Sequence, residues 1–181
     1  MRNLASALFL TERDGEGEDQ KLLPKEKGRI ITTIQKAKEV RPLVERCITI
    51  ARKVLEQKAE AERLYTSAER NSNEWRSWRK SEEWQEWNKA AAPVVAARRR
   101  VLTLLGDKKA VKVLFEEVAP RFADRDGGYT RILRLAKPRL GDAGTRVILE
   151  FVGKNDRVRK KAQRPVFDSD SPAAQAAPAA E

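Results

Sequence analysis

From Ala37 to Leu55 the apolar side chains step by three and four residues: Ala37, Val40, Val44, Cys47, Ile48, Ala51 and Leu55. That spacing lays one stripe along an α-helix, and the stripe has to be buried against a second layer. Lys36, Lys38, Arg41, Arg46, Arg52 and Lys53 lie off it. Thr32 or Thr33 suits the N-cap. Pro42 falls inside the stripe and has no N–H for the Lys38 carbonyl, which predicts a kink or a break into two short helices.

Short strands flank this helix. Gly28–Thr33 is compact and β-branched. Tyr129–Leu135 alternates, with Tyr129, Arg131, Leu133 and Leu135 on one side and Thr130, Ile132 and Arg134 on the other. Ala136–Gly144 reads as a long hairpin connection, and Thr145–Val152 as the return strand with Val147, Leu149 and Phe151 on one face. Further helices follow from the 3.6-residue period. Residues 2–10 place Leu4, Ala7 and Leu8 together. Val94, Val95, Val101, Leu102 and Leu105 mark a helix that Gly106 can end. Asp107 can cap the next, whose stripe is Ala110, Val111, Leu114, Phe115 and Val118 and which Pro120 should stop. The order is helix, strand, a run of helices, then two strands. The expected class is α+β, with a small three-stranded antiparallel or mixed sheet carrying helices on one face.

Between these elements, residues 56–92 read as helical and polar, with Trp75, Trp78, Trp84 and Trp87. On one continuous helix the tryptophans would form two pairs on nearly opposite faces. A break near Arg79–Ser81 would let the pairs face each other across a helical hairpin. Stacking on bases is the other use of such rings. Residues 58–92 carry seven basic and seven acidic side chains, which favours packing.

The chemistry is bounded by what is missing. The 181 residues suit one domain. Histidine is absent and Cys47 is the lone cysteine, so Ser-His-Asp and Cys-His catalysis, an internal disulfide, and His- or Cys-cluster metal sites are excluded. No P-loop or GxGxxG motif occurs. Cys47 lies on the apolar stripe and is expected to be buried. Glu82, Glu83 and Glu86 cluster at helical spacing as a metal-dependent nuclease would need, but next to Lys80 and Lys89 they read as an exposed helix face.

With 38 Lys+Arg against 27 Asp+Glu, the formal charge is +11 and points to a polyanionic partner. Residues 96–146 hold 13 basic and 6 acidic side chains, a net of +7, so the anion-binding face should lie mainly outside 58–92. Ala90–Ala97 contains Pro93 and falls far short of the ~20 apolar residues needed to span a bilayer. Leu4–Leu10 is short for a signal sequence. A cytoplasmic protein is expected. Residues 12–19, with five carboxylates, read as an exposed loop. Arg157, Arg159, Lys160, Lys161 and Arg164 form a basic tail, and the Ala/Pro-rich end from Ser171 is expected to be disordered.

Two stretches carry more than composition: Gly28-Arg29-Ile30-Ile31-Thr32-Thr33-Ile34-Gln35-Lys36-Ala37-Lys38-Glu39-Val40-Arg41-Pro42, and Ala119-Pro120-Arg121-Phe122-Ala123-Asp124-Arg125-Asp126-Gly127-Gly128-Tyr129-Thr130-Arg131-Ile132-Leu133. Both closely resemble the bacterial large-subunit ribosomal protein seventeen family, and Arg2-Asn3-Leu4-Ala5 and Gly141-Asp142 fit the same pattern. The resemblance covers about 2–12, 28–55 and 96–152. It implies a two-layer fold of one helix, one strand, three helices and two strands in a domain over 1–152, with a tail over 153–181. It implies a structural role on large-subunit ribosomal RNA beside neighbouring ribosomal proteins, in the cytoplasm, with no membrane, no homo-oligomer in the particle, no enzymatic activity and no cofactor. A free RNA-binding protein or RNA chaperone is the alternative that charge alone would support.

The residues expected to contact RNA are Arg2, Arg29, Thr32, Thr33, Lys36, Lys38, Arg41, Arg98, Arg99, Arg100, Arg121, Arg125, Gly127, Gly128, Tyr129, Thr130, Arg131, Arg134 and Arg139. Arginine, lysine, threonine and close backbone are what phosphates need. Gly127-Gly128 also suits a turn, and Tyr129 suits a core as well as a base stack. Three departures stand out. Family members begin with a basic extension, whereas Met1 here directly precedes Arg2, so either the start is misassigned or an RNA anchor is lost. Residues 13–27 are longer than the usual connection, and 57–95 look like an insertion.

Overall fold

A computed structural model describes residues 1–13, 24, 26–153 and 156. Most of the carboxylate-rich loop, the basic tail and the Ala/Pro-rich end lie outside the described residues.

The central helix α2 spans Ile34–Arg52 and buries Ala37, Val40, Val44, Cys47, Ile48 and Ala51, six of the seven stripe residues. Leu55 lies past its end and starts the next helix. Pro42 neither breaks nor splits α2. The ring is on the exposed side of the helix, where water can reach the backbone that proline leaves unpaired. Thr33 takes the N-cap position with extended backbone, but its hydroxyl makes no capping bond.

Three strands pair antiparallel in the order β1-β3-β2: β1 is Arg29–Thr33, β2 Thr130–Arg134 and β3 Arg146–Phe151. Val147, Leu149 and Phe151 of β3 face the helices and are buried, as the alternation predicts. The register puts Ile30 and Ile132 across from Leu149 on that same face. α2 packs on all three strands. Helix α1, Arg2–Leu10, buries Ala5, Leu8 and Phe9. The face expected there, Leu4-Ala7-Leu8, is rotated: Ala7 is exposed and Phe9 stacks on Phe151 at 5.7 Å. The large Phe9 ring outweighs two smaller side chains in fixing which face turns inward.

Four more helices complete the run: α3 Leu55–Leu64, α4 Asn73–Trp78, α5 Glu82–Leu105 and α6 Lys108–Val113. The chain breaks at 79–81, where a break would let the tryptophan pairs face each other, and a second break over 65–72 separates α3 from α4. Gly106 ends α5 at φ 79°, and Asp107 Oδ1 accepts from Lys109 N at 2.8 Å and Ala110 N at 3.4 Å. Val94, Val101 and Leu105 of α5 are buried, as are Ala110, Val111, Leu114, Phe115 and Val118 beyond it.

Pro120 does not stop the last helix. Leu114–Val118 widens into a π-helical turn and a short α7, Ala119–Arg121, continues it. The Ala119 N–H donates five residues back, to the Leu114 carbonyl. The next donor in that pattern would be Pro120, which has no N–H. The Phe115 carbonyl it would have served accepts instead from Lys58 Nζ at 3.2 Å. The three helices expected between β1 and β2 are thus α2, α5 and the α6–α7 rod, with α3 and α4 added by the tryptophan-rich segment.

Candidate nucleic-acid interface

Among the described elements, the helices that pack on the sheet cover the face of Val147, Leu149 and Phe151, and the opposite face leaves Ile31 and Leu133 exposed. The register aligns Arg29, Glu150 and Arg131 in one row across the three strands. Glu150 is buried and sits between the two arginines, 3.7 Å from Arg29 Nε and 2.5 Å from Arg131 Nε. Asp156 adds a contact to Arg131 at 3.2 Å, and Glu26 one to Arg29 at 2.5 Å. The hydrogen bond to Glu150, then its charge, raises the Arg131 pKa. The next row is apolar: Ile31, Ile148 and Leu133, with Ile31 56% and Leu133 42% exposed. The third begins with Thr33 opposite Arg146. Arg146 is not among the residues expected from sequence, although the pairing of its strand with Thr33 puts it on this face.

The second motif forms the corner that leads into β2. Gly127 and Gly128 both have positive φ, 153° and 62°, and no atom lies within 4 Å of where a Cβ would project, so they serve the turn. Arg125 closes the turn by donating to the Gly127 carbonyl at 3.2 Å and the Asp156 carbonyl at 3.3 Å. Arg52 pairs with Asp126 at 2.8 Å. The Tyr129 ring is buried against Phe122 at 5.2 Å, and the neighbouring Thr130 hydroxyl donates to Glu45 at 2.9 Å. Arg41 reaches the same Glu45 oxygen at 3.1 Å. Arg121 donates to Glu12 at 3.0 Å and to the Val152 carbonyl at 3.2 Å. In the β2–β3 connection, Arg139 grips Asp142 and, with the Gly144 N–H, holds that carboxyl well below the usual range.

The expected residues therefore divide. Arg29, Arg41, Arg121, Arg125, Arg131 and Arg139 have internal partners, and the Tyr129 ring lies in the core. Arg2, Lys36, Lys38, Arg99, Arg100 and Arg134 are exposed and make no ion pair with a described residue. The three consecutive arginines point to different surroundings: Arg98 lies over the Phe115 ring at 5.3 Å, Arg99 is exposed, and Arg100 lines a groove beside α2.

Two of the tryptophans pack on each other and the other two flank an arginine. Trp78, Trp87 and Tyr65 form a three-ring cluster with centroids 5.7–5.8 Å apart, and Arg79 sits over Trp75 at 5.3 Å and Trp84 at 6.0 Å. Glu82, Glu83 and Glu86 lie exposed near the start of α5. Among the described residues no three His, Cys, Asp or Glu come together as a metal site, and no helix is long and apolar enough to cross a membrane.

A family model described as ribosomal protein L17 matches residues 20–152, which takes in all three strands and every helix after α1. The chain belongs to the ribosomal protein L17 family. It is 62% identical over all 181 residues to the large ribosomal subunit protein bL17 of Rhodopirellula baltica, and spans 85% of it. With the bL17 proteins of Halothermothrix orenii and Persephonella marina the identity is 37% over 125 residues and 35% over 133. Those alignments take 69% and 73% of this chain and 75% and 76% of the relatives.

In this family member the two motif stretches are neighbours in space. The first supplies β1 and the start of α2, the second supplies α7, the turn and β2, and β3 pairs with both strands. The Thr130–Glu45–Arg41 contacts tie β2 to α2 directly.

Proposed function

We propose that this protein is a structural constituent of the large ribosomal subunit, in the cytoplasm, where it binds the subunit's RNA beside neighbouring ribosomal proteins and supports assembly and translation. The observation that carries this is the 62% identity along the whole chain to a protein named as a large-subunit component. The surface supports it. A net charge of +11 stands beside exposed arginines and lysines that make no ion pair with a described residue, the condition under which phosphates are bound. The arginines that do have partners shape the β2 corner and the open sheet face. The apolar row Ile31-Ile148-Leu133 supports a protein neighbour on that face. Its role there is that of a scaffold rather than a catalyst, needs no cofactor, and calls for one copy per particle. Residues 1–152 act as the RNA-binding domain, with 57–95 as an accessory arm.

Depletion of the protein from growing cells tests this. Complete large subunits should fall and lighter precursors accumulate. A depleted cell with an unchanged large-subunit peak would contradict it.

A further inference from the structure

We infer that the groove between α2 and α5 is a phosphate-binding channel for an RNA strand, distinct from the motif corner and the open sheet face; this rests on the ribosomal reading above. The groove encloses about 450 Å³. Arg46 from α2 and Lys53 at its C-cap line one wall, and Arg100 lines the other from α5. No carboxylate among the described residues lines it. All three cations are exposed, and none makes an ion pair or side-chain hydrogen bond with a described residue. That sets them apart from Arg121, Arg125, Arg131 and Arg139, each of which donates to a partner within the fold. Glu45, the acid beside Arg46 in sequence, is held by Arg41 and Thr130.

The spacing suits a strand rather than a single ion. Arg46 and Lys53 are seven residues apart, two helical turns or about 10.5 Å along the axis, so they address separate phosphates. Between them the floor is apolar, built by Ile50 with Pro93 and Ala96 opposite. An apolar floor strengthens the attraction of the flanking cations by lowering the local dielectric. It also gives sugar and base surface something to lie against. Fixed cations on both walls with no acid among them suit a polyanion, and a ribosomal setting makes that polyanion RNA.

The test compares full-length protein with R46Q, K53Q, R100Q and the triple variant, binding deproteinised large-subunit RNA over a salt series. Each single change should reduce the slope of log affinity against log salt by about one, and the triple by two to three. A control triple on the arm, R76Q/K80Q/K89Q, should leave the slope unchanged. Thermal melting checks that the variants fold, and Lys53 of the wild-type protein should be protected from added acetic anhydride when RNA is bound. A groove triple with wild-type slope and affinity, or a Lys53 equally reactive with and without RNA, would overturn the channel while leaving the ribosomal reading standing. A triple that binds RNA normally but enters particles poorly would give the groove to a protein neighbour and equally overturn it. Absence of the wild-type protein from large subunits would sink the ribosomal reading itself.

Discussion

Arg121 and Glu12 are 109 residues apart in the chain and 3.0 Å apart in the fold. The second guanidinium nitrogen of Arg121 reaches the Val152 carbonyl at 3.2 Å. One side chain at the end of the last helix therefore ties the exit of α1 to the end of the sheet. The Thr11 hydroxyl adds to the joint by donating to Leu8 O at 2.6 Å and accepting from Gly28 N at 3.0 Å.

Replacing Arg121 or Glu12 with glutamine should each cost about 1.5–3 kcal/mol, the range for hydrogen bonds to charged groups. The double variant should cost much less than the sum of the two. Urea unfolding of the four proteins measures this. Strictly additive losses would show that the pair does not act as a unit.

Gly28 stands beside the same joint. Its φ is +74°, and a Cβ there would meet Glu12 Oε1 at 2.5 Å. Gly106 has a similar φ of +79° with nothing within 4 Å. Gly106→Ala should cost about 1–2 kcal/mol from the left-handed backbone alone. Gly28→Ala should cost more, because the Glu12 carboxylate must leave Arg121 or strain against the new methyl. In a Glu12→Ala background the excess should vanish. Equal costs for the two glycines in the wild-type background would refute this.

The aromatic arm is separable. α3 and α4 contribute no buried residue, and the buried part of α5 begins at Ala90. Tyr65 and Trp87 have ring centroids 5.8 Å apart, so residues 66–86 can be excised and the ends joined by a short Gly/Ser linker. The shortened protein should keep its cooperative unfolding and enter large subunits. Loss of incorporation with a normal melt would mean the arm itself holds RNA or a protein neighbour.

Burial pushes the Cys47 thiol up to about 12 despite the opposing charge of Arg46. Native protein should therefore resist thiol reagents, and labelling should follow unfolding. The unfolded chain loses this proton near pH 9 while the folded chain keeps it to about pH 12. The contribution is complete below pH 9 and declines as pH rises through that window. Denaturant midpoints for wild type and Cys47→Ala should converge or cross between pH 9 and 12. A constant difference across that range would show that the thiol titrates alike in both states.

The layers were legible because burial imposes a period. Val147, Leu149 and Phe151 alternate, Val40, Val44 and Cys47 step by helical spacing, and a break near Arg79–Ser81 would let the two tryptophan pairs face each other. The prolines misled because local rules ignore what compensates for them: an exposed face at Pro42, and the Lys58 ammonium on the Phe115 carbonyl ahead of Pro120. The arginines were harder. Nothing near Arg121 in the sequence reveals Glu12, and nothing near Arg131 reveals Glu150, so their internal partners could not be read from the sequence. Arg46 and Lys53 carried a usable signal, since with Ile50 they share one helical face away from the buried stripe. Only the packing of α5 alongside shows that this face becomes a groove.

The most direct measurement is sedimentation of a cell lysate after a high-salt wash, with the protein quantified across the gradient by mass spectrometry. One copy per large subunit, retained through the wash, is the predicted result. Recovery of the protein only at the top of the gradient, with large subunits lacking it, would contradict its place as a structural constituent of the particle.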